Sequence, residues 1–175
     1  MRDDPFGQLL ELEGRLRAAR MDVAAGEAQT WTGLGFRIGK TWLAVPREDV
    51  REVIPPPPTT RVPNARGWMR GVANVRGELL AIVDLPVLLG LPESEPHRMQ
   101  RVLVFNSRRT PAGMLVDEVA GYRQFTPGEQ RGEIAAQSQP FTPYLLGAFV
   151  REGQPWLAFS LHKLAQSDLF RSAAL

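Results

Sequence analysis

Hydrophobic and polar positions follow two different rhythms along the chain. Phe6, Leu9, Leu10, Leu12 and Leu16 recur largely at three- and four-residue spacing among Glu and Arg, which predicts an amphipathic helix over 6–20, weakened by Gly14. Residues 21–30 are small, polar and without periodicity, and read as a flexible link. From Gly33 onward the pattern becomes short apolar runs punctuated by Gly and Pro. These predict strands at 34–38, 41–45, 50–54, 71–75, 78–83, 101–105, 112–119, 145–150 and 156–160, hence an all-β barrel or sandwich. Pro55 to Pro58 cannot donate backbone hydrogen bonds, so the strand beginning at Val50 must end there. Pro86 opens a short helix over 87–89, with Asp84 near its N-terminal end and Gly90 placed to stop it. Residues 93–100 and 126–143 read as long loops, and 162–175 as a C-terminal helix with Leu164, Leu169 and Phe170 on its apolar side.

The run from Pro63 to Leu85 joins two of these strands through a tight, charged turn. Residues 71–75 alternate small or apolar with polar positions, Arg76-Gly77 supplies a turn where Gly can take φ > 0, and 78–85 is mostly apolar. Asn74 and Arg76 are thereby displayed beside the turn.

This segment, an Arg-Gly pair, an apolar pair around Asn74, then Arg76-Gly77 and an apolar strand ending in Asp84-Leu85, resembles the signature of CheW-like domains, the adaptor modules of bacterial chemosensory arrays. The likeness extends upstream through Phe36-Arg37-Ile38-Gly39, Leu43-Ala44-Val45-Pro46 and Val50-Arg51-Glu52-Val53-Ile54, and downstream through Leu115-Val116-Asp117-Glu118-Val119 to Leu145-Leu146-Gly147-Ala148. It covers most of the chain, from about Gly33 to Leu164. The resemblance implies a mainly β fold of two intertwined five-stranded SH3-like β-barrels with short helices, to which the N-terminal amphipathic helix is an addition. It divides the chain into an N-terminal helix and linker (1–30), a CheW-like domain (31–165) and a C-terminal helical tail (166–175).

The resemblance also implies a protein that works by binding: no catalysis, no cofactor and no metal. The implied partners are a CheA-type histidine kinase and the cytoplasmic tip of a methyl-accepting chemoreceptor, in the cytoplasm, tied to membrane receptor arrays through protein partners with no direct membrane insertion. The family's receptor-facing groove between the barrels maps here onto Val50 and Glu52 of the Val-x-Glu motif and onto Asn74 and Arg76 of the Asn-x-Arg-Gly motif. Val50 is expected to supply apolar burial, while Glu52 and Arg76 pair with each other or with a partner's charges. Gly71 and Gly77 are assigned to backbone geometry around the turn. Ala81 stands where a Pro is common and Pro86 where an Arg often follows Asp-Leu. Taken whole, the sequence looks closer to the adaptor of the type IV pilus, or twitching-motility, chemosensory system than to flagellar CheW.

Composition narrows the field further. A chain of 175 residues fits one domain, or two small barrels sharing strands, and the absence of Cys removes disulfides and thiolate metal sites. The N-terminus begins with charges and no segment approaches the length of a membrane span, so the cytoplasm is the expected compartment. The sequence pI is about 9.5, yet the net charge is only +2, with acids interleaved among arginines, and only Lys40 and Lys163 are lysines. That mixed surface weighs against the rival reading, an OB-like nucleic-acid binder stacking bases on Trp31, Trp42, Trp68 and Trp156. Core or interface packing accounts for those four.

Gly39-Lys40-Thr41 imitates the end of a P-loop, but the first required glycine falls at Leu34 and a strand pattern follows in place of a helix, so a hairpin turn is the reading. Asp84, Asp117 and Glu118 are the candidate metal or acid/base carboxylates; helix capping explains the first, and adjacency in one strand sends the other two to opposite faces. His97 and His162 stand without ligand spacing, no hydrolase constellation is visible, and Pro55 to Pro58 reads as a spacer before it reads as a PPII ligand.

Overall fold

The computed structural model describes residues 30–171. Ten strands build two five-stranded sheets. Sheet I has the order β8-β1-β2-β10-β9 and sheet II the order β3-β6-β7-β5-β4. Sheet I comprises β1 (Trp31–Ile38), β2 (Thr41–Pro46), β8 (Glu118–Phe125), β9 (Leu145–Arg151) and β10 (Gln154–Phe159). Sheet II holds β3 (Val50–Ile54), β4 (Met69–Val75), β5 (Glu78–Asp84), β6 (Arg101–Phe105) and β7 (Ala112–Val116). The described chain therefore starts in sheet I, completes sheet II, and returns. The fold is mainly β, as the sequence predicts, but the backbone ladder leaves each sheet open between its edges, β3 and β4 in one and β8 and β9 in the other.

Apolar residues sort into three clusters that follow this topology. Ala73, Leu80, Ile82, Val102, Val104 and Leu115 pack within sheet II, and Trp31, Ala44, Phe125, Leu146, Phe149 and Trp156 within sheet I. The third cluster draws on both sheets: Leu34, Phe36 and Leu43 meet Val83, Leu103, Phe105 and Met114. Alternation makes this possible, because successive strand residues face opposite ways, so Val104 enters one core while Leu103 and Phe105 enter the shared one.

The stretch 112–119, expected as one strand, is two. Asp117 breaks it: its N–H donates to the carbonyl of Arg37 at 3.0 Å and its Oδ2 accepts the N–H of Gly39 at 2.6 Å. β7 runs parallel to β5 in sheet II, and β8 resumes antiparallel to β1 in sheet I. The other crossing, from β2 to β3, passes through the 3-10 turn Arg47–Asp49, where buried Asp49 accepts the N–H of Leu161 at 3.2 Å.

α1 (Leu85–Leu88) forms where Pro86 predicts it, and Asp84 caps it by accepting the N–H of Val87 at 3.4 Å. The expected loop 126–143 instead contains a 3-10 turn (Pro127–Glu129), α2 (Gly132–Ala136) and the start of a second 3-10 turn (Thr142–Tyr144), each too short to show a helical stripe. The C-terminal helix is broken into α3 (Leu161–Ala165) and α4 (Asp168–Arg171), because Ser167 Oγ accepts the N–H of Phe170 and starts a new turn. Phe170 stacks on Trp68 at 5.7 Å between ring centroids, while Leu169 is exposed. The amphipathic helix expected over 6–20 and the link that follows it lie outside the described residues.

Candidate functional site

The two open seams are spanned by arginine side chains. In sheet II, Arg76 and Gly77 take φ of 53° and 83°, the two positive values that a primed hairpin turn between β4 and β5 requires. Gly77 accommodates this freely, whereas Arg76 is held in a region that side chains other than Gly rarely occupy. Asn74 fixes the turn by accepting the N–H of Gly77 on its Oδ1 at 2.9 Å. So constrained, Arg76 donates through Nη1 to Glu52 Oε2 at 2.7 Å, and neighbouring Arg51 donates to Glu78 Oε2 at 3.0 Å.

Adjacent residues on a regular strand would point to opposite faces. Arg51 and Glu52 both reach the hairpin because the β3–β6 register slips between Val50 and Glu52, making Arg51 the extra residue of a bulge. Exposed ion pairs contribute only about 0.2–1 kcal/mol each, so their main effect here is to fix the hairpin against β3. Arg76 keeps 79% of its side-chain surface exposed while Glu52 keeps 21%. Glu52 Oε1 is shielded from solvent and accepts no hydrogen bond among the described residues. Leu79, directly across from Asn74 and therefore on the same face, is 64% exposed.

The structure thus brings Glu52, Asn74 and Arg76 together at one end of sheet II. Val50 stands apart in orientation: it pairs with Phe105 and packs against the shared core, whereas Glu52 pairs with Val104 on the face turned into sheet II. Gly77 lies in the turn. Gly71 lies inside β4, at φ 144°, beside a second bulge, where a Cβ would meet the Thr60 carbonyl oxygen at 2.4 Å. Sequence reasoning missed Arg51, Glu78 and Leu79. Leu79 was accessible to it, since strict alternation from buried Leu80 and Ile82 turns Leu79 outward, but the bulge that brings Arg51 to Glu78 has no local sequence mark.

Sheet I closes its seam differently. Arg151, at the end of β9, donates to the Gln124 carbonyl on β8 and through Nε to Glu129 Oε2 at 2.9 Å, with its guanidinium 4.6 Å from the Phe125 ring centre. Those hydrogen bonds and the N–H of Thr126 hold the Glu129 carboxyl down at about 2.

The other candidate carboxylates are structural. Asp84 ion-pairs with Arg70 at 2.9 Å, and Arg70 also reaches Glu93 at 3.1 Å; burial raises the Asp84 carboxyl above its ordinary value against the opposing Val87 N–H and Arg70. Asp117 and Glu118 both serve the end of β1, the latter accepting from Arg37 Nε at 3.2 Å. His97 lies 3.8 Å from Asp117 and His162 3.4 Å from Asp49. Among the described residues no three His, Asp or Glu side chains are grouped to hold a metal ion. Gly39 and Lys40 form the β1–β2 turn, and β2 follows at once.

The tryptophans are spent on packing: Trp31 stacks on Phe149 at 5.5 Å, Trp42 meets Trp156 at 5.3 Å, and Trp68 meets Phe170. Trp31, Trp42 and Trp156 share the sheet I cluster and Trp68 lies apart in the shared core, with all but Trp42 buried, so these rings are taken up by packing and the nucleic-acid reading has no support.

Comparison with known proteins agrees with this geometry. The profile of the CheW-like domain matches residues 32–169. Protein PilI of Pseudomonas aeruginosa is 41% identical over 176 aligned residues, covering 98% of this chain and 97% of that protein. The chemotaxis protein CheW of Thermotoga maritima is 26% identical over 146 residues, covering 83% of this chain and 95% of that one. The crystal structure of the scaffolding protein TtCheW from Thermoanaerobacter tengcongensis superimposes with a TM-score of 0.67 over 80% of this chain and 95% of its own, at 18% identity, a likeness of fold.

Proposed function

The chain belongs to the family of CheW-like domains, and from that premise we propose that it is the adaptor of a type IV pilus chemosensory system controlling twitching motility. In this role it couples the cytoplasmic tip of a methyl-accepting chemoreceptor to a CheA-type histidine kinase, and it catalyses no reaction. CheW-family adaptors join chemoreceptors to CheA kinases in general; the pilus branch draws its support from the similarity to PilI over nearly the whole of both chains. Residues 31–165 form the adaptor unit, 166–175 its C-terminal tail, and 1–30 an appended segment. In this reading the protein works in the cytoplasm, held at receptor arrays through its partners; among the described residues no helix is long and apolar enough to cross a membrane.

The observation that carries the receptor contact is the half-finished ion pair at the sheet II seam. Glu52 has one oxygen bound by Arg76 and the other screened and without a hydrogen-bond partner among the described residues, while Arg76 turns most of its side chain outward. That shielded oxygen lies out of a partner's reach, so a receptor helix would meet the pair through the exposed Arg76 side chain. An acidic group on the same helix would meet Arg76, exposed Leu79 beside Asn74 would give apolar contact, and Val50 would form the floor between the sheets. Charges arranged in this way set register and partner choice more than raw affinity.

Pull-down of wild type and Arg76→Glu against a CheA-type kinase and a receptor cytoplasmic fragment from the same organism tests the reading, with circular dichroism confirming that the variant is folded. The kinase is retained by both proteins, and the variant loses at least about tenfold in receptor affinity, equivalent to 1.4 kcal/mol. Wild type that binds neither partner would sink the adaptor function; unchanged receptor binding by the variant would remove Arg76 from the contact.

A further inference from the structure

A groove of about 720 Å³ opens where the shared core reaches the surface beside sheet II, between β5, the β6–β7 loop and the C-terminal helices. Trp68, Val83, Phe105 and Phe170 form an apolar floor, and Arg109 and Arg171 stand at its rim. Both arginines are exposed, neither forms an ion pair with a described residue, and no Asp or Glu lines the groove. None of Val50, Glu52, Asn74 and Arg76 lines it, so it is distinct from the seam assigned to the receptor. Its volume falls within the roughly 300–1,000 Å³ typical of ligand sites, and its chemistry asks for an occupant that is apolar and acidic.

We propose that this groove receives the N-terminal segment of the same chain, with Phe6, Leu9 and Leu10 on its floor and the neighbouring acids against Arg109 and Arg171. The charge fits: the first thirteen residues carry Asp3, Asp4, Glu11 and Glu13 against Arg2 alone. The path fits as well. Gly33 pairs with Pro46 at the end of β2, and the turn that follows brings Asp49 against His162 and the N–H of Asn106, both beside the groove. The first described strand thus starts near this crossing, and the ten residues of 21–30 can span at most about 33–36 Å.

The segment is also shared with a matched relative. The similarity to PilI takes in 98% of the chain and so includes most of the segment ahead of the domain, whereas the Thermotoga CheW, matched over 95% of its length, takes in only 83%. Covalent connection over a link this short sets the local concentration at about the millimolar level, so a contact too weak to form between separate molecules is populated within one.

The chain contains no Cys, so Gln8→Cys in the full-length protein gives a single attachment point for a nitroxide. In ¹⁵N spectra the Trp68 indole N–H broadens several-fold more than those of Trp31, Trp42 and Trp156, which belong to the other sheet. Arg109→Glu combined with Arg171→Glu removes that broadening, and Glu11→Arg with Glu13→Arg on the same background restores it. The proposal is overturned if Trp68 is not preferentially broadened, or if the double charge reversal leaves the broadening unchanged. It is also overturned if Glu11→Arg with Glu13→Arg fails to restore the signal. Broadening that appears only between a labelled molecule and a separate ¹⁵N molecule would assign the groove to a second copy of the chain.

Discussion

Arg76 and Gly71 show how much of this protein rests on backbone conformations that side chains resist. Arg76 holds φ of 53° because the two-residue turn leaves no alternative, and the strain is offset by Asn74 and Glu52. Gly71 answers a different demand, since its Cβ position is already occupied by the Thr60 carbonyl, whose N–H and oxygen bridge to Val72. Gly71→Ala is expected to cost about 2 kcal/mol or more, through both φ and a clash with backbone that cannot rotate away. Gly77→Ala, where nothing lies within 4 Å, carries only the φ strain and should cost about 1 kcal/mol. Urea denaturation of the two variants side by side checks the ordering; equal losses would mean that Thr60 moves.

At the scale of elements, the Arg151–Glu129 contact makes the sheet I seam sensitive to acid. The Glu129 carboxyl sits at about 2 in the folded protein against an ordinary 4.5, so the unfolded chain takes up its proton first as the pH falls. The stabilisation is complete above 4.5 and disappears as the pH drops through that value toward 2. Glu129→Gln should therefore lower stability at pH 7 by about 1 kcal/mol or less, the pair being partly exposed, and the gap to wild type should close near pH 2. Urea midpoints across that range give the answer; a constant gap would show that the loss comes from packing.

The hairpin turn at Arg76-Gly77, the α1 cap at Asp84 and most strands were legible in the sequence because each is dictated within a few residues. The seam pairs were less so. Glu52 meets Arg76 only through the whole sheet order, and Arg51 is re-aimed by a bulge. The break at Asp117 was hidden because apolar residues stand on either side of it, Leu115-Val116 before and Val119-Ala120 after, while the chain changes sheets.

For the molecule as a whole, the shared core makes the two sheets one thermodynamic unit. Leu103 is fully buried in that cluster, on a strand whose next residue belongs to the other core. Leu103→Ala is expected to cost about 3 kcal/mol and to shift a single transition. Tryptophan fluorescence, which reports mostly on sheet I, and far-ultraviolet circular dichroism, which reports on both sheets, should move together; separated midpoints would show that the sheets unfold independently. The order in which the chain visits the sheets carries a temporal consequence. Sheet II is built from one continuous stretch and is complete once β7 has left the ribosome, whereas β2 must wait for β10, its parallel neighbour from the far end of the chain. At roughly 5–20 residues per second of synthesis, the first hairpin spends seconds with its apolar surface uncovered beside a finished sheet. The last strand made is thus the one that ends the protein's exposure to aggregation, and late truncations should endanger solubility before they endanger sheet II.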